Sequence, residues 1–153
     1  MPHLRLYTAP LKGHGPPPAP GIDDAAEPPG LTPEQAVWRR ARLRGTRLPP
    51  GEPGYGEARL VFNKRYRPHP PAIANVLDAE DVRTCLGFVR AEAMEFRIRS
   101  GGHSFAGYSG GPGLVIDLSR LSAITLDAAA GEVTVGGGCP QGELAAQVLA
   151  QGW

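Results

Sequence analysis

The segment Arg99-Ser100-Gly101-Gly102-His103-Ser104-Phe105-Ala106-Gly107-Tyr108-Ser109 joins two short apolar runs, residues 96–99 and residues 114–118. Apolar runs separated by glycines predict a strand, a loop and a second strand. Glycine has no Cβ and tolerates positive φ, so the loop backbone can come close to a ligand. Successive N–H groups in such a turn form a concavity that suits an anion such as a pyrophosphate. A histidine in the middle adds the side chain type that offers a neutral, nucleophilic nitrogen near pH 7. The pattern therefore points to a nucleotide cofactor with His103 held against it.

Upstream of this loop the chain prepares a strand–helix–strand unit. Residues 72–76 (Ala72-Ile73-Ala74-Asn75-Val76) read as a short buried strand after the break at His69, Pro70 and Pro71. Asp78 is placed to cap a helix running from Ala79 to about Ala93. Val82, Cys85, Leu86 and Val89 fall at i, i+3, i+4 and i+7, the apolar stripe of such a helix. Cys85 on that stripe is expected to be an inert core thiol. Strand, helix and strand in this order predict a parallel pairing of the two strands.

Further upstream, Thr32-Pro33-Glu34-Gln35 has the form of a helix start, with Thr32 as cap, Pro33 at the first helical position and Gln35 closing a capping box. That helix is expected to reach about Leu43, with Gly45 ending it. Arginines at 39, 40, 42, 44 and 47 read as a solvated face; a nucleic-acid patch is the alternative, but no aromatic platform interleaves with them. The turn at residues 49–55 is rigid with proline and glycine, and residues 61–66 follow it. Residues 1–31, rich in Pro and Gly, are expected to be a disordered leader, because they hold too little apolar surface to offset ordering entropy. A proline-rich ligand for a partner is the functional alternative there.

Downstream, two short strands around Ile124 and Val133 are joined by residues 127–131 and predict a hairpin. Gly136, Gly137 and Gly138 make a second glycine turn, and residues 142–151 carry a helix-like pattern through Leu144, Val148 and Leu149.

The bulk numbers narrow the function classes. The 153 residues carry a formal charge of +1, so no global field recruits nucleic acid or an anionic membrane. No apolar run approaches a membrane span, and no signal peptide is visible, so the expectation is a cytoplasmic protein with no membrane partner. Two cysteines, Cys85 and Cys139, are too few for a disulfide framework. The four histidines, at 3, 14, 69 and 103, lack zinc-type spacing, and no metal site is expected. A dinucleotide-binding Gly-x-Gly-x-x-Gly after a strand and a Gly-Lys-Ser/Thr phosphate loop are both absent. Ser104 adjoins His103, but adjacency does not make a triad.

Gly54-Tyr55 through Phe62-Asn63, then Pro71-Ala72-Ile73, Asp81-Val82, Arg99 to Ser104, Val115-Ile116-Asp117-Leu118-Ser119 and Val135 to Gly138 occur in one order. That order resembles the FAD-binding domain of the vanillyl-alcohol-oxidase and p-cresol-methylhydroxylase type, and within it the branch of berberine-bridge enzymes and bacterial FAD-linked oxidases. The resemblance covers about residues 38–153, with the Arg-Ser-Gly-Gly-His block as its most specific part. It implies an α+β fold, an incomplete FAD-binding domain with FAD between two subdomains of small mixed sheets flanked by helices. It implies pyrophosphate binding by the N–H groups of Ser100, Gly101, Gly102, His103 and Ser104, after Arg99. The same loop continues through Gly107, Tyr108 and Ser109, and the turn at Gly136, Gly137 and Gly138 is expected to line the other side. His103 matches the histidine that in many such proteins is covalently bonded to the flavin 8α carbon. Some members of this branch attach the flavin a second time, through a cysteine followed by proline. Cys139-Pro140 has that form but not that place, since it matches the glycine turn before a helix; a partly buried free thiol is the reading.

The resemblance also implies that substrate-binding and acid–base residues of the full enzyme lie elsewhere. Asp117 and Glu143 can be nominated as acid or base, but nothing in the sequence supports either. The reading is thus the N-terminal part of an FAD-linked oxidase acting on a small-molecule substrate, inactive on its own. The alternative is a non-catalytic remnant or interaction module with the same fold and no bound flavin.

Overall fold

The computed structural model describes residues 43–153. The expected leader at 1–31 and the helix from Thr32 lie outside those residues, apart from that helix's last residue, Leu43. Along the described chain run β1 (Thr46–Leu48), α1 (Tyr55–Ala58), β2 (Ala72–Asn75), α2 (Ala79–Ala91), β3 (Phe96–Arg99), β4 (Leu114–Asp117), β5 (Ile124–Asp127), β6 (Glu132–Val135) and α3 (Gln141–Ala150). They form a four-stranded sheet in the order β1-β2-β4-β3 and a separate β5-β6 hairpin.

The sheet is ordered by which strand can be buried on both faces. All four residues of β4 are buried, and it takes the centre between two parallel neighbours, β2 and β3. The strand–helix–strand unit is therefore parallel, but β2 and β3 do not pair with each other; β4 inserts between them. An uninterrupted apolar run suits that doubly covered position, whereas β3, with alternating Arg residues, takes the edge. Thr46 to Leu48, not foreseen as a strand, closes the other edge antiparallel to β2. Arg44 and Arg47 consequently lie before and within β1, not on a helix.

One sheet face presents Ala72, Ala74, Val76, Leu114 and Ile116 to Cys85 and Val89 of α2. The other face presents Ile73 and Val115 to Tyr55 of α1, whose hydroxyl donates to the Pro70 carbonyl at 2.7 Å. Each fully buried aliphatic side chain contributes about 1.5–3 kcal/mol relative to exposure.

The α2 start is as expected: Asp78 Oδ1 accepts from the N–H groups of Glu80 and Asp81. Its end comes two residues earlier than expected. Ala93 adopts φ 49°, and the Met94 N–H returns to the Val89 carbonyl, which closes the helix. Leu86 is also a correction, being 39% exposed. It sits about 100° round the helix from Cys85, at the flank of the buried stripe. The inward position that the pattern missed is polar. Asp81 is 1% exposed and accepts from the N–H groups of Arg44, Gly45 and Leu77. Burial raises its pKa, but those donors and the Arg44 charge together hold it below its ordinary value.

Burial pushes the Cys85 thiol up to about 12, and the Asp81 charge adds to this, in keeping with an unreactive core cysteine. The α3 helix runs one residue earlier than expected at each end, from Gln141 after Pro140 to Ala150, and none of its residues is buried.

Candidate functional site

The loop after β3 is anchored from below by a buried ion pair. Arg99 Nε and Nη2 both donate to Asp117 Oδ2, at 2.9 and 2.6 Å, and the two side chains are 6% and 10% exposed. Asp117 Oδ1 also accepts the Ser119 N–H, and the Leu118 N–H donates to the Arg99 carbonyl. The pair thus locks together the ends of β3 and β4, between which the loop must pass. The guanidinium of Arg99, the first residue of the expected cofactor loop, is engaged with Asp117 beneath the loop. Asp117, nominated from the sequence as an acid or base, is the other half of that lock.

Above this base the chain turns through Ser100, Gly101, Gly102, His103 and Ser104. Gly102 has φ 70°, the left-handed conformation that a nest of N–H groups needs, and a Cβ there would meet nothing closer than 3.7 Å. Among the described residues the backbone N–H groups of this five-residue run have no hydrogen-bond acceptor. Five N–H groups without a protein acceptor, with a left-handed glycine among them, are available to an anion. The carbonyl side, in contrast, is tied down: Gly102 O accepts the Phe62 N–H at 3.1 Å, and Phe105 O accepts from Asn63 Nδ2 at 2.7 Å.

The remainder of the expected loop serves its shape. Gly107 N–H donates to the Ser104 carbonyl, Tyr108 N–H donates to Ser104 Oγ at 3.1 Å, and Gly110 N–H donates to the Gly107 carbonyl. Gly107 and Ser109 are buried, and Tyr108 is half-buried.

The second glycine turn is brought to the first. Ser100 Oγ donates to the Gly137 carbonyl in a short contact. A Cβ at Gly138 would stand 1.8 Å from the Leu118 carbonyl oxygen, so only glycine lets the turn lie this close to the end of β4. Gly136 and Gly138 N–H groups donate to the Ala123 and Leu121 carbonyls. Of the three residues expected to line this side, Gly136 and Gly138 therefore have their N–H groups spent on docking, and Gly137 is the exposed one. Cys139 is a half-buried free thiol whose N–H closes the turn on the Gly136 carbonyl. Glu143 is exposed in the first turn of α3.

His103 is exposed at the centre of the cradle, with its ring 5.1 Å from that of Phe62. Phe62 and Asn63 thus stand against the loop, contacts that sequence reasoning did not assign although both lie in the stretch that carries the resemblance. An apolar groove of about 600 Å³, lined by Leu77, Val82, Ile98, Ile116 and Leu121 among others, has no acidic residue and no histidine among the described residues that line it.

Residues 70–153, more than half of the chain, match the family described as FAD binding domain. The chain is 30% identical over 103 residues to (R)-6-hydroxynicotine oxidase of Paenarthrobacter nicotinovorans, covering 67% of this chain and 22% of that protein. It is 35% identical over 88 residues to tetrahydroberberine oxidase of Berberis wilsoniae, covering 56% and 17%. Among solved structures, 6-hydroxy-D-nicotine oxidase of Arthrobacter nicotinovorans superposes with a TM-score of 0.67 at 29% identity, over 70% of this chain and 24% of that one. The chain spans less than a quarter of the length of these relatives.

Proposed function

The chain belongs to the FAD binding domain family of FAD-linked oxidoreductases, of the berberine-bridge-enzyme-like kind, and from that premise we propose which residues hold the cofactor and how. The N–H groups of Ser100, Gly101, Gly102, His103 and Ser104 bind the FAD pyrophosphate. Arg99 fixes the loop's base, and Gly107, Tyr108 and Ser109 its far limb. Gly137, with Gly138 docked behind it, forms the opposite wall. The single observation that carries this reading is the run of five unspent donors around Gly102. A pyrophosphate supplies the acceptors that the protein leaves out, so the residues present fit the cofactor.

We further propose that His103 tethers the flavin. The imidazole would offer the lone pair of one ring nitrogen for a bond to the 8α carbon and would release its N–H proton, while the bound flavin would supply the electrophilic carbon, one C–H proton lost and two electrons taken up, with dioxygen as the final oxidant. The exposed imidazole, with neither ring nitrogen bonded to a described residue, is free for this role. When bound, the flavin supplies two-electron oxidation chemistry, while the protein supplies position and electrostatics. The proposed reaction of the intact enzyme is oxidation of an alcohol, an amine or a C–H next to a heteroatom, with dioxygen as acceptor.

Acid-denatured protein expressed from its own reading frame and run on a gel tests the tether. The expected result is a fluorescent flavin band that His103→Ala abolishes while Cys139→Ser leaves it in place. A protein that takes up no FAD overturns the cofactor assignment for this chain and favours the non-catalytic reading. One that binds FAD but releases all of it in acid overturns the tether alone.

A further inference from the structure

The imidazole of His103 has no polar partner among the described residues to set its direction, yet its ring has a defined place. Phe62 stands 5.1 Å away between ring centroids and tilted by 30°. Gly101 lies against the same ring: a Cβ there would stand 2.8 Å from His103 Cδ2 and 3.5 Å from Nε2. The ring therefore has a phenylalanine and a glycine as its near neighbours.

Phe62 is itself held for this. Its N–H donates to the Gly102 carbonyl, within the same loop. Its ring meets Phe105 edge-on, at 5.7 Å and 86°. The next residue, Asn63, donates to the Phe105 carbonyl and accepts the Arg65 N–H. Core packing does not explain the side chain: Phe62 is 55% exposed, whereas its neighbour Val61 is 3% exposed and supplies the burial. A large aromatic ring in contact with an exposed histidine can fix that ring's direction, since stacked and tilted ring pairs hold preferred geometries.

We propose that Phe62 is the positioning residue that aims the His103 imidazole at the flavin, with Gly101 giving the ring its room. The inference rests on the tether proposed above. Covalent attachment needs the nucleophilic nitrogen within a narrow range of distance and angle, and small misplacements slow such steps by one to two orders of magnitude.

The test compares wild type, Phe62→Leu, Phe62→Tyr and Gly101→Ala, reconstituted with FAD. Three readouts are taken: total bound flavin, acid-stable flavin against time, and the His103 ring proton shifts by NMR before FAD is added. In wild type and Phe62→Tyr the ring protons are shifted by the neighbouring ring current, and tethering proceeds at the same rate within about twofold. In Phe62→Leu the shift is lost, and tethering slows about tenfold or more at undiminished total flavin. Gly101→Ala, which crowds the ring, slows tethering with Phe62 intact; Phe62→Met takes the place of Phe62→Leu if the latter does not fold. Tethering at the wild-type rate in a folded Phe62→Leu or Phe62→Met overturns the positioning role and leaves the tether standing. Wild type with bound but wholly acid-released flavin overturns both.

Discussion

The larger part of the described chain, which ends at β4, and the smaller part that follows it are built differently. Every buried apolar side chain in the described residues lies at or before Ile116. The sheet, α1 and α2 enclose two clusters, and the strand at their centre is buried at all four positions. After Asp117 the hairpin and α3 contain no buried residue. What joins them to the sheet is backbone fit: the glycine turn lies against the Leu118 and Leu121 carbonyls, and Ser100 reaches across to Gly137. The proposed cofactor cradle is at this seam. The sheet part fixes the loop's base, while the second wall depends on the weakly packed part. Local stability should differ accordingly, since segments with few buried apolar contacts open at lower free energy.

The largest effect is expected at the lock beneath the loop. Asp117→Ala leaves the Arg99 guanidinium buried without its partner and should cost about 3–5 kcal/mol in urea unfolding. A loss under about 1 kcal/mol, the scale of an exposed pair, would show that the seam does not rest on the sheet part. Ile116→Ala, at the centre of the sheet, should cost about 2–5 kcal/mol, whereas Leu149→Ala at the other extreme, on a side chain 70% exposed, should stay within about 0.5 kcal/mol. Equal costs at the two positions would erase the contrast.

Gly138→Ala should act between these limits. Its methyl cannot fit 1.8 Å from the Leu118 carbonyl oxygen, so the second turn must lift. A cost of about 1–3 kcal/mol is expected. In hydrogen exchange the amides of β5, β6 and α3 should lose protection while those of β2 and β4 keep theirs. Uniform loss across both parts would contradict separate anchoring.

The last effect is a pH dependence that lies in the acid range. Asp81 has its pKa lowered from 3.8 in the folded protein, so the stability it contributes is fully present at neutral pH. It is lost as pH falls from the ordinary value through the folded one. Asp81→Asn should be less stable than wild type at pH 7, with a difference that shrinks below about pH 4. A difference independent of pH would remove the carboxylate from the account.

The elements and the loop were legible because local signals agree there. Asp78 before a helix, apolar residues at helical spacing and Gly101-Gly102 between two apolar runs each act over a few residues. Long-range features left weaker traces. The insertion of β4 between β2 and β3 follows from which strand both faces can cover, and Thr46 to Leu48 is too short and polar to announce itself as an edge. Asp81 reads as a surface helix residue until its donors, 36 and 37 residues away, are in place. Within the site, Arg99 reads as the first residue of the cofactor loop, and only the pairing with the neighbouring strand shows it bound to Asp117. Phe62 reads as one more apolar residue, and its exposure beside His103 is a fact of three dimensions.

The most direct test of the central assignment is peptide mass mapping of the flavin-loaded protein. Cleavage after Arg99 and Arg120 gives the peptide carrying His103 and separates it from Cys139. The account predicts that this peptide carries the added mass of FAD, located at His103, and that the Cys139 peptide is unmodified. An unmodified His103 peptide from flavin-saturated protein, or flavin found on Cys139 instead, would contradict it.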